Sequence, residues 1–259
     1  ARRTGRGGAT ATAAVLEDAR QLATVLRTHG VPAIAGIDTR ALARHLRAYG
    51  SLRGAITRPG QTDPEAAVAA ARAGPRGAAA LPRWEDQDFV GQVSPAAVTD
   101  VGDPAEGGPL VAIVDFGLKV NIVRSLRRRG TRVRILPHTA SRAAMLAPEV
   151  AGIVLSPGPG DPARLDGPVA LARAAIADGR PLLGICLGHQ IVGRAAGADT
   201  RRLRFGHHGA NHPVRDLDSG LVQVTAQNHE VQVVSETVAR ESGFYVSQVN
   251  LNDGSVEGL

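Results

Sequence analysis

From residue 110 onward, short apolar segments alternate with amphipathic segments that have a helical period. The apolar segments predict strands at 111–115, 131–136, 152–155 and 181–185, and the segments between them predict helices near 120–129, 141–146 and 169–177. Parallel strands need crossover connections, and right-handed crossovers place helices on both faces of the sheet. The pattern therefore predicts an α/β fold with a doubly wound, mostly parallel sheet. Ligands of such sheets bind beyond the carboxyl ends of the strands, so residues that follow a strand are candidates for chemistry.

The composition changes along the chain, whose 259 residues exceed a typical domain of about 100–200 residues. Helical patterns at about 14–28 and 38–49, followed by a strand pattern at 52–57, predict a small α/β domain before the main one. Residues before 15 lack periodicity, and the segment before 110 is rich in Pro and Gly. The predicted parts are a disordered start at 1–14, a smaller α/β domain at 15–90, a linker at 91–109 and the main α/β domain at 110–259.

The composition also limits the classes of function. The net charge is +6, but Lys119 is the only lysine and aromatic residues make up 3% of the chain, so no stacking platform for nucleic acid is predicted. The chain has no apolar run of 18 residues and no signal pattern at its first residues, so we expect no membrane partner and a cytoplasmic location. A single cysteine, Cys186, cannot form an internal disulfide.

The segment around Cys186 runs from a strand pattern directly into a helical pattern, with no loop between them. Gly184, Cys186 and Gly188 have the spacing of a nucleophile elbow, in which small flanking residues allow a sharp turn that exposes the nucleophile. A helix N-terminus stabilises a thiolate, which predicts an accessible thiol of lowered pKa. The alternative is a cysteine packed in the core, which is common for lone cysteines.

A second rigid segment, Ser-Pro-Gly-Pro-Gly-Asp-Pro at 156–162, follows another predicted strand. Its glycines, Gly158 and Gly160, allow the backbone to approach a ligand closely, and its amides could hold the oxyanion that forms when a thiolate attacks an amide. The alternative is a plain turn. A nucleotide-binding P-loop is excluded because no Gly-Lys-Ser/Thr follows the glycines.

Several segments, taken together, carry a family resemblance. The segments at 184–190 and 156–162 resemble the class I (triad) glutamine amidotransferases, which hydrolyse glutamine to ammonia. Further segments resemble the small subunit of carbamoyl-phosphate synthases, and they lie at 36–42, 115–122, 205–214 and 250–258. Motifs in this order, from about residue 31 to the end, are far more specific than any one of them.

The resemblance implies roles for individual residues. Cys186 matches the nucleophile that forms a glutamyl thioester. The positions that match glutamine-binding residues are Gly158, Gly160, Leu187, Gln190 and Asn228. Glu230 and Val231 stand where the family usually has Gly-Phe, so they are weaker candidates, and Glu230 would be strained if that site requires a left-handed backbone.

The resemblance also implies a fragment that lacks both termini. The catalytic His and Glu of the family are expected beyond Leu259, and the family's first strands are expected before residue 1. Because the histidine protonates the departing ammonia, we expect this chain alone to be weakly active or inactive.

The function implied by the resemblance is glutamine hydrolysis within a heterodimer. The ammonia passes to a large subunit that uses ATP, magnesium and bicarbonate to make carbamoyl phosphate for arginine and pyrimidine synthesis. No cofactor is expected in this subunit. Two alternatives stay open: a non-catalytic binding or regulatory subunit with the same fold, and the glutaminase subunit of another synthetase, such as that for GMP or anthranilate.

The histidines are candidates both for metal ligands and for a catalytic base. His207, His208 and His212 suggest zinc, but no cysteine or acidic cluster accompanies them in the sequence, so a hydrogen-bonding, Gly-rich loop and no metal site are predicted. His189 is close to Cys186 in sequence, and a structural role rather than that of the base is predicted for it.

Overall fold

The computed structural model describes residues 21–50, 52, 54, 56–57, 60, 63–73 and 84–259. It divides into two compact units, with the boundary between Leu81 and Pro82. The disordered start predicted at 1–14 lies outside the described residues. Among the described residues, no helix has the length and apolar character needed to cross a membrane.

The first unit is helical where it is described. Helix α1 is described over residues 21–28, and it is followed by α2 (Thr39–Tyr49) and α3 (Pro64–Ala73). Helix α2 begins at Asp38, whose carboxylate accepts the Ala41 N–H at 2.9 Å and so satisfies a free amide of the first turn. The predicted strand at 52–57 is not observed at residues 52, 54, 56 and 57, the part of that segment that the structure describes.

The second unit is built on a five-stranded sheet whose helices cover both faces. Its strands are β1 (Thr99–Val101), β2 (Leu110–Asp115), β3 (Arg132–Pro137), β4 (Val150–Leu155) and β5 (Leu182–Gly184), in the order β1-β3-β2-β4-β5. Its helices are α4 (Phe89–Val93), α5 (Val120–Arg127), α6 (Arg142–Met145), α7 (Asp166–Asp178) and α8 (Leu187–Ala195). Strands β2 to β5 pair in parallel, and only β1 is antiparallel. The predicted α/β class and mostly parallel sheet are confirmed.

Side chains of β2 alternate between two apolar cores. Ala112 and Val114 pack with the helices on one face, and Ile113 packs with Val123 and Val133 on the other. Such two-sided burial explains why the strand is apolar along its whole length instead of alternating with polar residues. Each fully buried Val or Ile side chain contributes about 1.5–3 kcal/mol, so the sheet is the rigid base of the second unit.

Residues 84–109 belong to the second unit, which differs from the linker predicted over 91–109 and from the domain predicted to end at residue 90. Strand β1 pairs with β3, and Arg134 of β3 binds Asp100 at 2.9 Å. Ser94 donates to the Asp115 carbonyl at 2.7 Å and accepts the His138 N–H at 2.9 Å. A three-residue edge strand among Pro and Gly residues has too little periodicity to be read from sequence.

A second, antiparallel sheet follows α8. It contains β6 (Thr200–Asp216), β7 (Val222–Val233), β8 (Gln248–Asn250) and β9 (Val256–Gly258), in the order β7-β6-β8-β9. The hydrogen-bonding, Gly-rich loop predicted for His207, His208 and His212 is wrong, because all three residues lie in strand β6. Its pairing with β7 shifts register twice, between Arg202 and His207 and between Gly209 and His212, and these irregularities hide the two-residue period.

Candidate active site

Cys186 lies between β5 and α8 on a strained turn. Its φ is 53° and its ψ is −109°, and no other non-glycine residue in the described part of the chain has a positive φ. A non-glycine residue held in such a conformation costs about 1–3 kcal/mol and persists only where its surroundings enforce it. The Ile185 N–H donates to the Leu155 carbonyl at 3.0 Å and the Gly188 N–H donates to the Ile185 carbonyl at 3.0 Å, which fixes the turn. The structure thus has the sharp strand-to-helix turn predicted from the sequence.

Gly188 allows α8 to start directly above the end of β4. A Cβ placed on Gly188 would lie 2.1 Å from the Leu155 carbonyl oxygen and 2.6 Å from its carbonyl carbon. Both atoms belong to the backbone of Leu155, a fully buried residue of β4, so they cannot move aside as a flexible side chain would. The helix can approach the sheet this closely only with glycine at residue 188, and this approach determines where Cys186 stands.

The loop after β4 is held equally close to the end of β2. A Cβ on Gly158 would lie 2.2 Å from the Phe116 carbonyl oxygen. The buried Ser156 hydroxyl accepts the Phe116 N–H at 2.9 Å and donates to the Pro157 carbonyl at 2.8 Å. Gly160 has a φ of 100°, which side-chain-bearing residues rarely adopt. The loop is therefore rigid, as the sequence predicts.

The backbone N–H groups of Leu187 and Gly158 are close enough to the Cys186 sulfur to stabilise its thiolate. Burial raises the pKa of the Cys186 thiol, and these two hydrogen bonds oppose the rise without cancelling it. The lowered pKa predicted from the helix N-terminus is wrong in direction, because desolvation of the half-buried sulfur outweighs the effect of the two amides on the pKa. The two amides lie beside the sulfur, so the carbonyl group of an amide attacked by this sulfur would also lie next to them.

A cleft of about 620 Å³ opens in front of Cys186, a volume typical of small-molecule sites. Of the sequence-predicted residues, seven line it together: Gly158, Gly160, Cys186, Gln190, Asn228, Glu230 and Val231. Leu187 does not line it, because its side chain is buried in the core and only its N–H faces the sulfur. The fold thus gathers into one cleft residues that lie far apart in the sequence.

Two of these residues connect the cleft walls. The Gln190 side chain is 5% exposed, and its Nε2 donates to the Val231 carbonyl at 2.7 Å, which ties α8 to β7. On the same strand, the Asn228 carbonyl lies 3.9 Å from the Cys186 sulfur. These two contacts join α8 and the elbow to β7 across the cleft.

Glu230 stands at the wall of the cleft without the backbone strain considered from the sequence, since its φ is not positive. Its carboxylate binds His208 at 3.2 Å and Arg202 at 3.3 Å. The Arg202 guanidinium also lies 4.8 Å from the centre of the Trp84 ring. Sequence reasoning missed Trp84 and His208 as cleft residues. Trp84 lies far from the predicted cleft residues in the sequence, and His208 reaches Glu230 only through the pairing of β6 with β7.

A second cavity of about 500 Å³ lies on the other side of the thiol. Cys186, His189 and Glu257 are among its lining residues. Burial lowers the pKa of His189 to about 4, so this ring is neutral at physiological pH, and its Nε2 has no hydrogen-bond partner. Within the described residues, no histidine nitrogen lies within hydrogen-bonding distance of the Cys186 sulfur.

The sequence matches two family descriptions. Residues 112–259 match the model of glutamine amidotransferase class-I, and residues 9–56 match that of the carbamoyl-phosphate synthase small chain, CPSase domain. The carbamoyl phosphate synthase small chain of Nitratidesulfovibrio vulgaris (strain Hildenborough) is 41% identical over 248 residues, which cover 90% of this chain and 63% of that protein. The small chain of Symbiobacterium thermophilum is 43% identical, with coverages of 89% and 61%. The chain thus spans less than two thirds of these relatives.

Among solved structures, a putative GMP synthase protein from Thermoplasma acidophilum is similar to part of this chain. The TM-score is 0.47 and the identity is 23%, and the similarity covers 56% of this chain and 74% of the other. A glutamine amidotransferase from Thermotoga maritima is similar at a TM-score of 0.41 and 17% identity, over 49% of this chain and 62% of that one.

Proposed function

Because the chain belongs to the class-I glutamine amidotransferases, we propose that it is the glutamine-hydrolysing part of a carbamoyl-phosphate synthase. One observation carries the proposal: Cys186 stands on a strained elbow with the N–H groups of Leu187 and Gly158 at its sulfur. A structural cysteine would need neither the strain nor the amides. The match of residues 9–56 to the small-chain model and the small-chain relatives support a carbamoyl-phosphate synthase over other synthetases.

The proposed reaction begins with attack of the Cys186 thiolate on the side-chain amide carbon of glutamine. A C–S bond forms, and the carbonyl electron pair moves to oxygen, where the Gly158 and Leu187 N–H groups stabilise it. The intermediate collapses with cleavage of the C–N bond, and a general acid protonates the departing ammonia. Water then attacks the thioester and releases glutamate. None of these steps uses a metal ion or a nucleotide bound to this chain.

Substrate binding is proposed for the cleft residues identified above. Asn228 offers an amide for directional hydrogen bonds to the amino-acid end of glutamine, and Gly160 allows the loop backbone to lie against the substrate. Gln190 supports substrate binding indirectly, because its amide nitrogen already donates to the Val231 carbonyl and so positions β7 beside α8. The ammonia would pass to a large subunit that consumes ATP and bicarbonate in the presence of magnesium, for arginine and pyrimidine synthesis.

One observation favours a second candidate, a binding or regulatory subunit with no turnover. The pKa of the Cys186 thiol is raised, and no histidine in the described part of the chain is bonded to it. Such a thiol is mainly protonated at neutral pH, and a glutamine that binds beside it would not react. The two candidates differ in whether a covalent intermediate forms.

Thioester trapping separates the candidates. The chain in complex with a synthetase large subunit is mixed with radiolabelled glutamine and quenched in acid, and protein-bound label and released glutamate are measured. Glutaminase function predicts bound label that Cys186→Ala abolishes, and a loss of glutamate release by about 10⁴-fold or more. Saturable glutamine binding with neither label nor release, in both proteins, would contradict catalysis and support the binding subunit. The chain alone is expected to release glutamate slowly.

A further inference from the structure

Three strands of the second sheet bring together two histidines and a glutamate. His207 of β6 lies opposite His229 of β7, and Glu257 comes from β9. One ligand atom from each residue lies within 4.8 Å of those from the other two. Their side chains are 4%, 13% and 11% exposed, so this is an interior cluster and not a solvated charge pair. The spacing of residues 207, 229 and 257 in the sequence matches no metal-binding motif.

The distances between the ligand atoms suit a small cation. His207 Nδ1 lies 3.2 Å from Glu257 Oε1, and His229 Nε2 lies 3.7 Å from Glu257 Oε2. Two ligands at about 2.0–2.1 Å from a tetrahedral zinc ion are roughly 3.3–3.4 Å apart. These two separations bracket this value, and the two histidine nitrogens lie within 4.8 Å of each other. Gln227 Oε1 lies 2.8 Å and 3.2 Å from the same two nitrogens and supplies a further oxygen.

The outer nitrogens of both rings are already occupied by hydrogen-bond acceptors. His207 Nε2 lies 2.8 Å from the Asp253 carboxylate, and His229 Nδ1 lies 2.9 Å from the Val231 carbonyl. Because carboxylates and carbonyls only accept, both outer nitrogens carry the proton. In the neutral rings, the inner nitrogens then present lone pairs. This is the arrangement in which metal-binding histidines are held, with the second nitrogen bonded to a carboxylate or carbonyl.

The nearest atoms to the inner lone pairs are acceptor oxygens, and the Asn250 amide nitrogen is farther from His207 Nδ1, at 3.4 Å. His207 Nδ1 is directed at the carboxylate of Glu257, which the Asn250 amide orients with a 3.0 Å hydrogen bond. Acceptors that face acceptors in a buried site are unfavourable unless a positive charge lies between them. An extra proton on His207 alone would pair that ring with Glu257 but leave His229 Nε2 facing the oxygens of Gln227 and Glu257. Extra protons on both rings would place two positive charges on rings whose centres are 4.8 Å apart. One divalent cation neutralises the carboxylate and satisfies both nitrogens.

We propose that His207, His229 and Glu257 bind a divalent cation of the zinc class, with Gln227 as the nearest further oxygen. Imidazole and carboxylate ligands suit zinc, and the site lies at the wall of the cavity of about 500 Å³, which His229 and Glu257 line. The ion joins β6, β7 and β9, and it fixes β7 at the residue that follows Asn228 of the cleft. The proposed ion is independent of the proposed glutaminase activity, because no step of glutamine hydrolysis uses the ion. It replaces the sequence-based expectation of no metal site.

Metal content tests the proposal directly. The 259-residue chain is stripped with a chelator and dialysed against zinc, and the bound metal is measured by mass spectrometry. One equivalent of zinc is expected, and cobalt(II) in its place should give the visible ligand-field bands of a four-coordinate ion. Glu257→Gln, which keeps the shape of the side chain, and His207→Ala should abolish stoichiometric binding. Asp253→Asn should weaken binding by about 10- to 100-fold, as loss of an outer partner does.

Controls make the result decisive. His29→Ala removes an exposed histidine of the first unit and should change nothing. Fluorescence of Trp84, the only tryptophan, reports whether each variant of the second unit is folded. Zinc should raise the melting temperature of the parent chain but not that of Glu257→Gln. No bound equivalent in the parent, binding unchanged in Glu257→Gln and Asp253→Asn, or binding lost only in Cys186→Ala would each overturn the proposal.

Discussion

Replacing Gly188 with alanine tests whether the close approach of α8 and β4 holds the elbow in place. The added Cβ would lie 2.1 Å from the Leu155 carbonyl oxygen. To restore ordinary van der Waals contact, the helix or the strand must move by more than about 1 Å. Leu155 is fully buried and its backbone pairs within the sheet, so neither side yields easily.

The expected loss of stability follows from two opposing contributions. Overpacking of a tight core costs about 1–3 kcal/mol, and the upper end applies here because the obstacle is backbone. Alanine in place of glycine inside a helix gains about 1 kcal/mol. The free energy of unfolding should therefore fall by roughly 2 kcal/mol, the difference of these two values.

The assay is urea unfolding followed by Trp84 fluorescence, since the only tryptophan lies in the second unit. Glycine-to-alanine changes at two other positions serve as controls with which the loss of stability at Gly188 is compared. At Gly193 the nearest atom, at 2.7 Å, is a methyl of Val233, and a side chain can adjust, so the loss should be smaller. At Gly167 nothing lies within 4 Å, so stability should be unchanged or rise slightly. Equal stability of the Gly188 and Gly167 variants would refute the reasoning.

Three further outcomes are expected. Alkylation of Cys186 by iodoacetamide should show a pH midpoint above the ordinary cysteine pKa of 9.0, because burial disfavours the thiolate; a midpoint below that of a cysteine peptide would contradict this. Ser156→Ala leaves the buried Phe116 N–H without its acceptor and should cost about 1–3 kcal/mol in urea unfolding, whereas an unchanged midpoint would mean that another acceptor replaces it. The Arg134 side chain lowers the pKa of Asp100, so the ion pair stabilises the fold above the ordinary pKa of 3.8, and this stabilisation is lost as pH falls through the lowered pKa. Arg134→Ala should therefore reduce the free energy of unfolding by about 0.2–1 kcal/mol near neutral pH and by less in acid. An equal reduction at both pH values would count against the ion pair.

The sequence predicts the first sheet and the elbow well because both depend on local patterns. The strand predicted at 111–115 is observed at Leu110–Asp115, and the strand predicted at 131–136 is observed at Arg132–Pro137. A strand buried on two faces must be apolar throughout, and a nucleophile elbow must have small residues beside it. These requirements act between residues that are close in sequence, so they can be read directly.

The second sheet and the interior cluster could not be predicted in this way. Strand β6 is interrupted by register shifts, and its glycines resemble turn signals. In sequence, His207 groups with its neighbours His208 and His212, but strand pairing places it with His229 and Glu257. The direction of the Cys186 pKa was also beyond the sequence, because it depends on how much of the sulfur the surrounding chain buries. The second sheet and the interior cluster depend on strand pairing between distant residues, and the pKa of Cys186 depends on desolvation in the folded chain.

The strain at Cys186 leads to a prediction in which glycine is the stabilising residue. With a φ of 53° and a ψ of −109°, residue 186 holds a conformation that costs a side-chain-bearing residue about 1–3 kcal/mol. Cys186→Ala keeps the Cβ and the strain, whereas Cys186→Gly relieves the strain and loses about 0.5–1 kcal/mol to the entropy of the unfolded chain. The glycine variant should therefore be the more stable of the two by about 1 kcal/mol in urea unfolding. At Ala170, an exposed position inside α7, the same change to glycine should have the opposite sign and cost about 1 kcal/mol. If Cys186→Gly proved less stable than Cys186→Ala, the backbone at residue 186 would not be strained. The positive φ of Cys186 would then no longer support a catalytic role for this residue.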